Sequence, residues 1–361
     1  MSEPLAGGRC VKRVGRRTWW RAGLLALALT SCRTEPDVAP QVEVPGAAVP
    51  ANFPAPVYRA DMNPPTRAAF ELGRRLFYDP GLSRTGAVSC ASCHQQAAAF
   101  ADAGQALSRG VDGRLGGRNS PALQNLRWKS TFLWDGGPRH IETMPLVPIR
   151  NPLEMDQSLD TLVRRLNANA TYARQFEQVF GRRPVDSYQL LRALAQFTAA
   201  LTSANSRYDR YARHEPGGVL DAAELRGLTV LRQHCAPCHG GELFTDESFR
   251  NNGLDQSFPR DSGRAQITRS PLDAGRFKVP SLRNVARTAP YMHDGRFATL
   301  EQVLDHYDRG VQESATLDPG LRRPRALPGI ALSAQQRQDV LAFLHSLTDE
   351  EFLRNPQLAK P

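Results

Sequence analysis

Cys90-Ala-Ser-Cys93-His94 and its second copy, Cys235-Ala-Pro-Cys238-His239, decide how this chain is read. Two thiols three residues apart can add to the two vinyl groups of one haem while the next imidazole takes its iron, and C-x-x-C-H is the spacing of c-type haem attachment. Without the histidine, each pair would read as a redox or zinc motif. Two copies, using four of the six cysteines, are hard to ascribe to chance. The competing reading is structural zinc, held by two cysteines and one histidine from each motif.

Working outward, 361 residues suit two domains, and a hydrophobic content of 41% is enough to bury their cores, so the chain is globular. The formal charge of +10 is poor evidence for nucleic-acid binding, because residues 1–31 carry six Arg and Lys against Glu3 and supply half of it. Four propionates on two haems would offset most of the rest.

That basic start leads into the apolar run Ala22–Leu29 and then Leu29-Thr30-Ser31-Cys32, which together have the parts of a secretory signal. The run is too short to span a membrane. The four residues ending at Cys32 also resemble a lipobox, so residues 1–31 read as a lipoprotein-type signal peptide and Cys32 as a lipidated N-terminus in the periplasm. An ordinary signal peptide is the alternative. Neither leaves a cysteine for a disulfide.

Residues 32–63, rich in Pro, Ala and Val, read as a flexible tether, with order beginning near Pro64. Beyond it, Phe70, Gly73, Leu76 and Phe77 share one face of a helix from Thr66 to Tyr78, stopped by Asp79-Pro80-Gly81. Helical spacing recurs over Leu159–Asn167, Tyr172–Phe180 and Val185–Thr202. Asp221-Ala-Ala-Glu224 and Ser333-Ala-Gln-Gln336 resemble capping boxes opening two further helices. No run of alternating strands is found.

An internal repeat organises these pieces. Pro121-Ala-Leu-Gln-Asn125 leads to Trp134-Asp135-Gly136 and Ile141-Glu142, as Pro280-Ser-Leu-Arg-Asn284 leads to His293-Asp294-Gly295 and Leu300-Glu301. The chain therefore reads as two cytochrome c-like halves, residues 64–205 and 206–361.

Leu76-Phe77-Tyr78-Asp79-Pro80, both haem motifs, Arg118-Asn119-Ser120-Pro121, Trp134-Asp135-Gly136, Asn151-Pro152-Leu153-Glu154-Met155 and Phe277–Gly295 together resemble the bacterial di-haem cytochrome c peroxidase superfamily, MauG enzymes included, over residues 64–347. The resemblance implies an all-α fold of two cytochrome c domains. A peroxidatic haem on Cys90, Cys93 and His94 would occupy the first, and an electron-transfer haem on Cys235, Cys238 and His239 the second. Hydrogen peroxide would be the oxidant. Peroxide must lose a proton from one oxygen and gain one on the other, and the resemblance assigns that transfer to Glu154.

Two positions depart from the family pattern. Met144 stands where the family has a glutamine; it lines the first haem pocket, closes it as an iron ligand, or simply packs in the core. Val111 stands where reductively activated members have an iron-blocking histidine, so the first haem is expected to be open without prior reduction. The resemblance further implies Trp134 as an aromatic relay between haems, and a calcium ion held by the Asn119 side chain and the Thr288 and Pro290 carbonyls. Tyr307 falls where electron-transfer peroxidases have a methionine ligand and where MauG enzymes have tyrosine, so it is expected on the second iron, with Met292 or His306 as alternatives.

The function expected is a periplasmic peroxidase taking electrons from a small cytochrome c or copper protein. A MauG-like oxidation of a protein or organic substrate, and a non-enzymatic di-haem electron carrier, are the alternatives. No nucleic-acid partner is expected, the membrane is met only through the lipid anchor, and a homodimer is compatible with the sequence.

Overall fold

The helix Arg67–Tyr78 starts where Thr66 accepts a hydrogen bond from Ala69 N, and stops where Asp79 turns extended and caps Gly81 N. Its buried face, Phe70, Leu72, Gly73, Leu76 and Phe77, lies against the helix Ser187–Ala199, which opens with a capping box of Asp186 and Gln189. In the second half the helix Ala222–His234, boxed by Asp221 and Glu224, packs in the same way on Ala334–Ser346, boxed by Ser333 and Gln336. Both crossings depend on a glycine. A Cβ on Gly73 would lie 2.1 Å from Ala193 O, and one on Gly227 would lie 1.9 Å from Asp339 O. The expected helices thus form close to their expected bounds, with Leu159–Ala168 and Ala170–Phe180 between them.

This computed structural model describes residues 44–323 and 327–361. The signal peptide of residues 1–31, Cys32 and the first part of the tether lie outside the described residues. Among these residues the protein is helical, and its one ladder is a two-residue antiparallel pair, Phe249–Arg250 with Phe277–Lys278. The described residues form one compact unit.

The internal repeat has a structural purpose. Asn125 and Asn284 both adopt left-handed backbone, and each opens a 3-10 turn. Asn125 N donates to Leu201 O at 2.8 Å, and its side chain exchanges hydrogen bonds with the Ser203 backbone at 2.8 and 3.0 Å. Asn284 N donates to Leu347 O at 3.1 Å, while its Oδ1 accepts from Asp349 N at 2.7 Å. Each asparagine therefore ties down the chain leaving its half's long second helix. The two ties also meet, since Asn284 Nδ2 donates to Ser203 Oγ at 2.9 Å and to Gln124.

Two expected boundaries are corrected. Residues 44–63, expected as tether, are packed: Phe53 meets Trp128 edge-on at 5.1 Å, Trp128 Nε1 donates to Pro54 O at 2.7 Å, and Tyr58 Oη donates to Glu142 at 2.7 Å. Isolated aromatic anchors hold this stretch, and they leave no periodic trace. Residues 350–361, assigned to the second half, return to the first. Phe352, Leu353 and Leu358 join the core of Phe70, Phe77 and Phe100, and Tyr78 Oη donates to Leu358 O at 2.8 Å.

Candidate haem sites

Cys90–Cys93 forms a single helical turn, boxed by Ser89 and Ser92, with His94 at its C-terminal end. His94 Nδ1 lies 2.7 Å from Phe100 O. A carbonyl only accepts, so Nδ1 carries the proton and Nε2 keeps its lone pair for iron. The second motif repeats this device, with His239 Nδ1 at 3.2 Å from Phe244 O.

All four thiols are free. Burial pushes the Cys90 thiol up to about 12 and the Cys93 and Cys235 thiols up to about 11, and it raises the Cys238 thiol as well. Among the described residues, no three His, Cys, Asp or Glu side chains converge as metal ligands. The arrangement therefore fits covalent haem and not the zinc alternative.

Above the first motif, the short helix Leu146–Arg150 delivers the turn Asn151–Asp156, where Asn151 Nδ2 donates to Glu154 Oε1 at 2.7 Å. Burial lifts the Glu154 carboxyl above its ordinary range, and the Asn151 bond partly counters that. Its charge reaches both Cys90 and Cys93. Val111 is fully buried, and its N–H donates to Glu154 O at 2.8 Å. Met144 is buried in the cluster of Phe70, Phe77, Phe100 and Ile141, which Cys90 borders.

Trp134 lies between the halves. Its Nε1 donates to Asn119 O at 2.8 Å, and its carbonyl accepts from Lys278 N at 2.8 Å. The reciprocal bond runs from Asn119 N to His293 O at 2.7 Å, so residues matched by the repeat cross-brace the junction. Asn119 Nδ2 donates to the Gln105 and Ala106 carbonyls at 3.1 and 3.2 Å, and Gly104 N donates to Ala289 O at 3.1 Å. The three residues expected at calcium thus stand on adjoining segments.

At the second motif, Tyr307 sits in a single π-turn, His306–Gly310. Burial pushes its phenol up to about 12, opposed by the Asn252 amide, and the Cys235 and Cys238 thiols lie within electrostatic reach. His306 Nε2 lies 2.9 Å from Asn252 O, and Met292 Sδ accepts from Asn252 Nδ2 at 3.4 Å. Asn252 escapes sequence reading because nothing local marks it. Asn151 and His293 were legible, the first inside the Glu154 segment and the second as the repeat partner of Trp134.

Comparison with known proteins agrees with this geometry. The family described as di-haem cytochrome c peroxidase matches residues 67–217. The methylamine utilization protein MauG of Methylorubrum extorquens is 36% identical over 336 residues, spanning 90% of this chain and 92% of its own. Cytochrome-c peroxidase IdrP1 of a Pseudomonas species is 31% identical over 360 residues, spanning 91% and 90%. The crystal structure of a MauG-like protein associated with microbial copper homeostasis matches with a TM-score of 0.79 and 35% identity, covering 87% of this chain and 98% of that one. The chain therefore belongs to the di-haem cytochrome c peroxidase family, as a peroxidase-type oxidoreductase with two c-type haems.

Proposed function

We propose that this protein uses hydrogen peroxide at the first site and holds oxidising equivalents at the second for a MauG-like oxidation of a protein or organic substrate. One haem would be held by Cys90, Cys93 and His94, the other by Cys235, Cys238, His239 and Tyr307. Bound there, haem iron supplies a site for peroxide and the electrons that cleave its O–O bond. The chain moves the protons. Glu154, lifted in pKa by burial, takes one from the near oxygen and returns it to the far one, with Asn151 fixing its orientation. Trp134 offers an aromatic path across the junction, and Asn119, Thr288 and Pro290 supply the oxygen ligands suited to calcium.

The observation that carries the reading is Tyr307, a half-buried tyrosine in a π-turn beside the second motif. A hard anionic oxygen favours oxidised iron, which suits storage of equivalents better than relay from a donor. A small redox protein as electron donor is the second reading, favoured by the likeness to IdrP1. Residues 1–31 and Cys32 support export to the periplasm with a lipid anchor. Among the described residues, no helix is long and apolar enough to cross a membrane.

The test is direct: peroxide is added to the purified, fully oxidised holoprotein and the spectrum is followed. With Val111 in place of a blocking histidine, the expected result is reaction without pre-reduction, with both haem spectra changing. An inert protein, low-spin at both haems, overturns the proposal.

A further inference from the structure

The loop 108–116 doubles back beside Glu154. Arg109 bridges Leu115, Gly110 N donates to Arg114 O at 2.8 Å, and Gly116 N donates to Ser108 O at 2.9 Å. The loop lies directly on the turn 151–156. Besides the bond from Val111 N to Glu154 O, Arg114 Nη1 donates to Pro152 O at 3.1 Å. Gly110 approaches so closely that a Cβ there would lie 2.1 Å from Leu153 O and 2.5 Å from Glu154 Cα. Wherever this loop goes, the Glu154 backbone must go with it.

Four charged side chains strap the loop to the turn. Arg84 Nε donates to Asp156 Oδ2 at 2.9 Å, and its Nη2 donates to Asp112 at the loop tip. Arg114 stands between the same two carboxylates, 3.4 Å from Asp112 and 3.8 Å from Asp156. Arg84 is itself fixed through its main chain, since its N–H donates to Met155 O at 2.9 Å and Arg165 grips the Gly81 and Ser83 carbonyls at 3.1 and 2.9 Å.

We propose that Arg84 is a positioning residue for Glu154: it locks the loop 108–116 and the turn 151–156 together, so that the carboxylate is held over the first site before peroxide arrives. The assignment rests on the acid–base role proposed for Glu154. Each pair is partly solvent-exposed and weak alone, so the lock depends on a guanidinium reaching carboxylates on two segments at once, and Arg84 holds both at shorter distances than Arg114 does. Arginine can do this because Nε and Nη2 point at different partners, whereas a lysine ammonium is a point charge that serves one. Asp112 has φ +57°, which asparagine also tolerates, so Asp112→Asn removes the charge without disturbing the backbone.

The experiment uses the full-length holoprotein as wild type, Arg84→Ala, Arg84→Lys, Asp112→Asn and Glu154→Gln. Two readouts are taken: hydrogen exchange of the peptide covering residues 108–116, and stopped-flow reaction with peroxide across a concentration series. Arg84→Ala and Asp112→Asn are expected to speed exchange about tenfold and to lower the saturating rate by a factor of about 3–10, with the second haem's spectrum unchanged and Arg84→Lys intermediate. Unchanged exchange in both charge-removing variants overturns the lock. Faster exchange with an unchanged peroxide rate, where Glu154→Gln does slow the reaction, overturns the positioning role. If Glu154→Gln is also silent, it is the acid–base reading that has failed, and the lock read by exchange stands.

Discussion

The two halves use the same frame and differ where the chemistry is. In both, a glycine lets two helices cross, a left-handed asparagine ties down the exit of the second helix, and a phenylalanine carbonyl orients the motif histidine. The register that pairs Asn125 with Asn284 and Ile141 with Leu300 also pairs Pro148 with Tyr307 and Gln124 with Arg283. In the first half this register gives Pro148, whose side chain has no donor atom, followed by the turn that carries the half-buried Glu154 carboxyl. In the second half it gives the half-buried phenol of Tyr307. The carbonyl bond to the histidine differs too, at 2.7 Å in the first half and 3.2 Å in the second. Under the proposed function, one half serves proton transfer and the other ligates its iron, through differences at a few positions of the shared register.

The sharpest way to break this contrast is Glu154→Gln, which keeps shape and burial while removing proton transfer. Haem content and fold should be retained, and reaction with peroxide should slow by about 10²–10⁴-fold, measured by stopped flow. The pH profile fixes the sign. Glu154 must be ionised to take the first proton, and burial raises its pKa, so the wild-type rate falls as pH drops through a value above the ordinary 4.5. That inflection should be missing in the variant.

The pairing of Gln124 with Arg283 predicts unequal structural dependence. Arg283 and Asp209 form a bidentate pair at 2.7 and 2.8 Å with both side chains wholly buried, and Arg283 also lies 4.4 Å from the Phe53 ring. Asp209→Ala leaves a buried guanidinium unpaired and should cost about 3–5 kcal/mol by denaturant unfolding. Gln124→Ala, at the matching position, removes neutral hydrogen bonds to Arg283 O and Asn284 and should cost about 1–3 kcal/mol. Equal losses would show that the halves are braced alike.

How much of this was readable depended on whether the chemistry needs neighbouring residues. Haem attachment joins Cys90, Cys93 and His94 within one turn, so the motif is contiguous and plain. The long helices were legible because a buried face leaves a period, as at Phe70, Gly73, Leu76 and Phe77. Glu154 and Tyr307 were reached only through resemblance, since a single carboxylate or phenol has no local signature. The brace of Asp209 and Arg283, the Arg84 strap and the anchors Phe53 and Tyr58 were not legible, because each partner lies far away along the chain. The C-terminal Phe352, Leu353 and Leu358 fill a core whose other buried members come from the first half, and their own segment is too short to show a pattern.

The pairing of Pro148 with Tyr307 carries the last prediction. A phenol pushed up to about 12 by burial stays protonated at neutral pH unless a metal displaces its proton, so a Tyr307–iron bond would hold a phenolate that the haem-free protein would not form. Replacing that hard anionic donor with a thioether, in Tyr307→Met, should raise the second haem's potential by on the order of 100 mV, about 2.3 kcal/mol for one electron. The first haem should keep its potential and its reaction with peroxide, because the matching residue there is Pro148 and donates nothing. Spectroelectrochemical titration separates the two haems in one experiment. A raised second potential beside an unmoved first would mark Tyr307 as the residue that sets the halves apart. An unchanged second-haem spectrum would show that the phenol only packs nearby, and that the contrast between the sites rests on Glu154 alone.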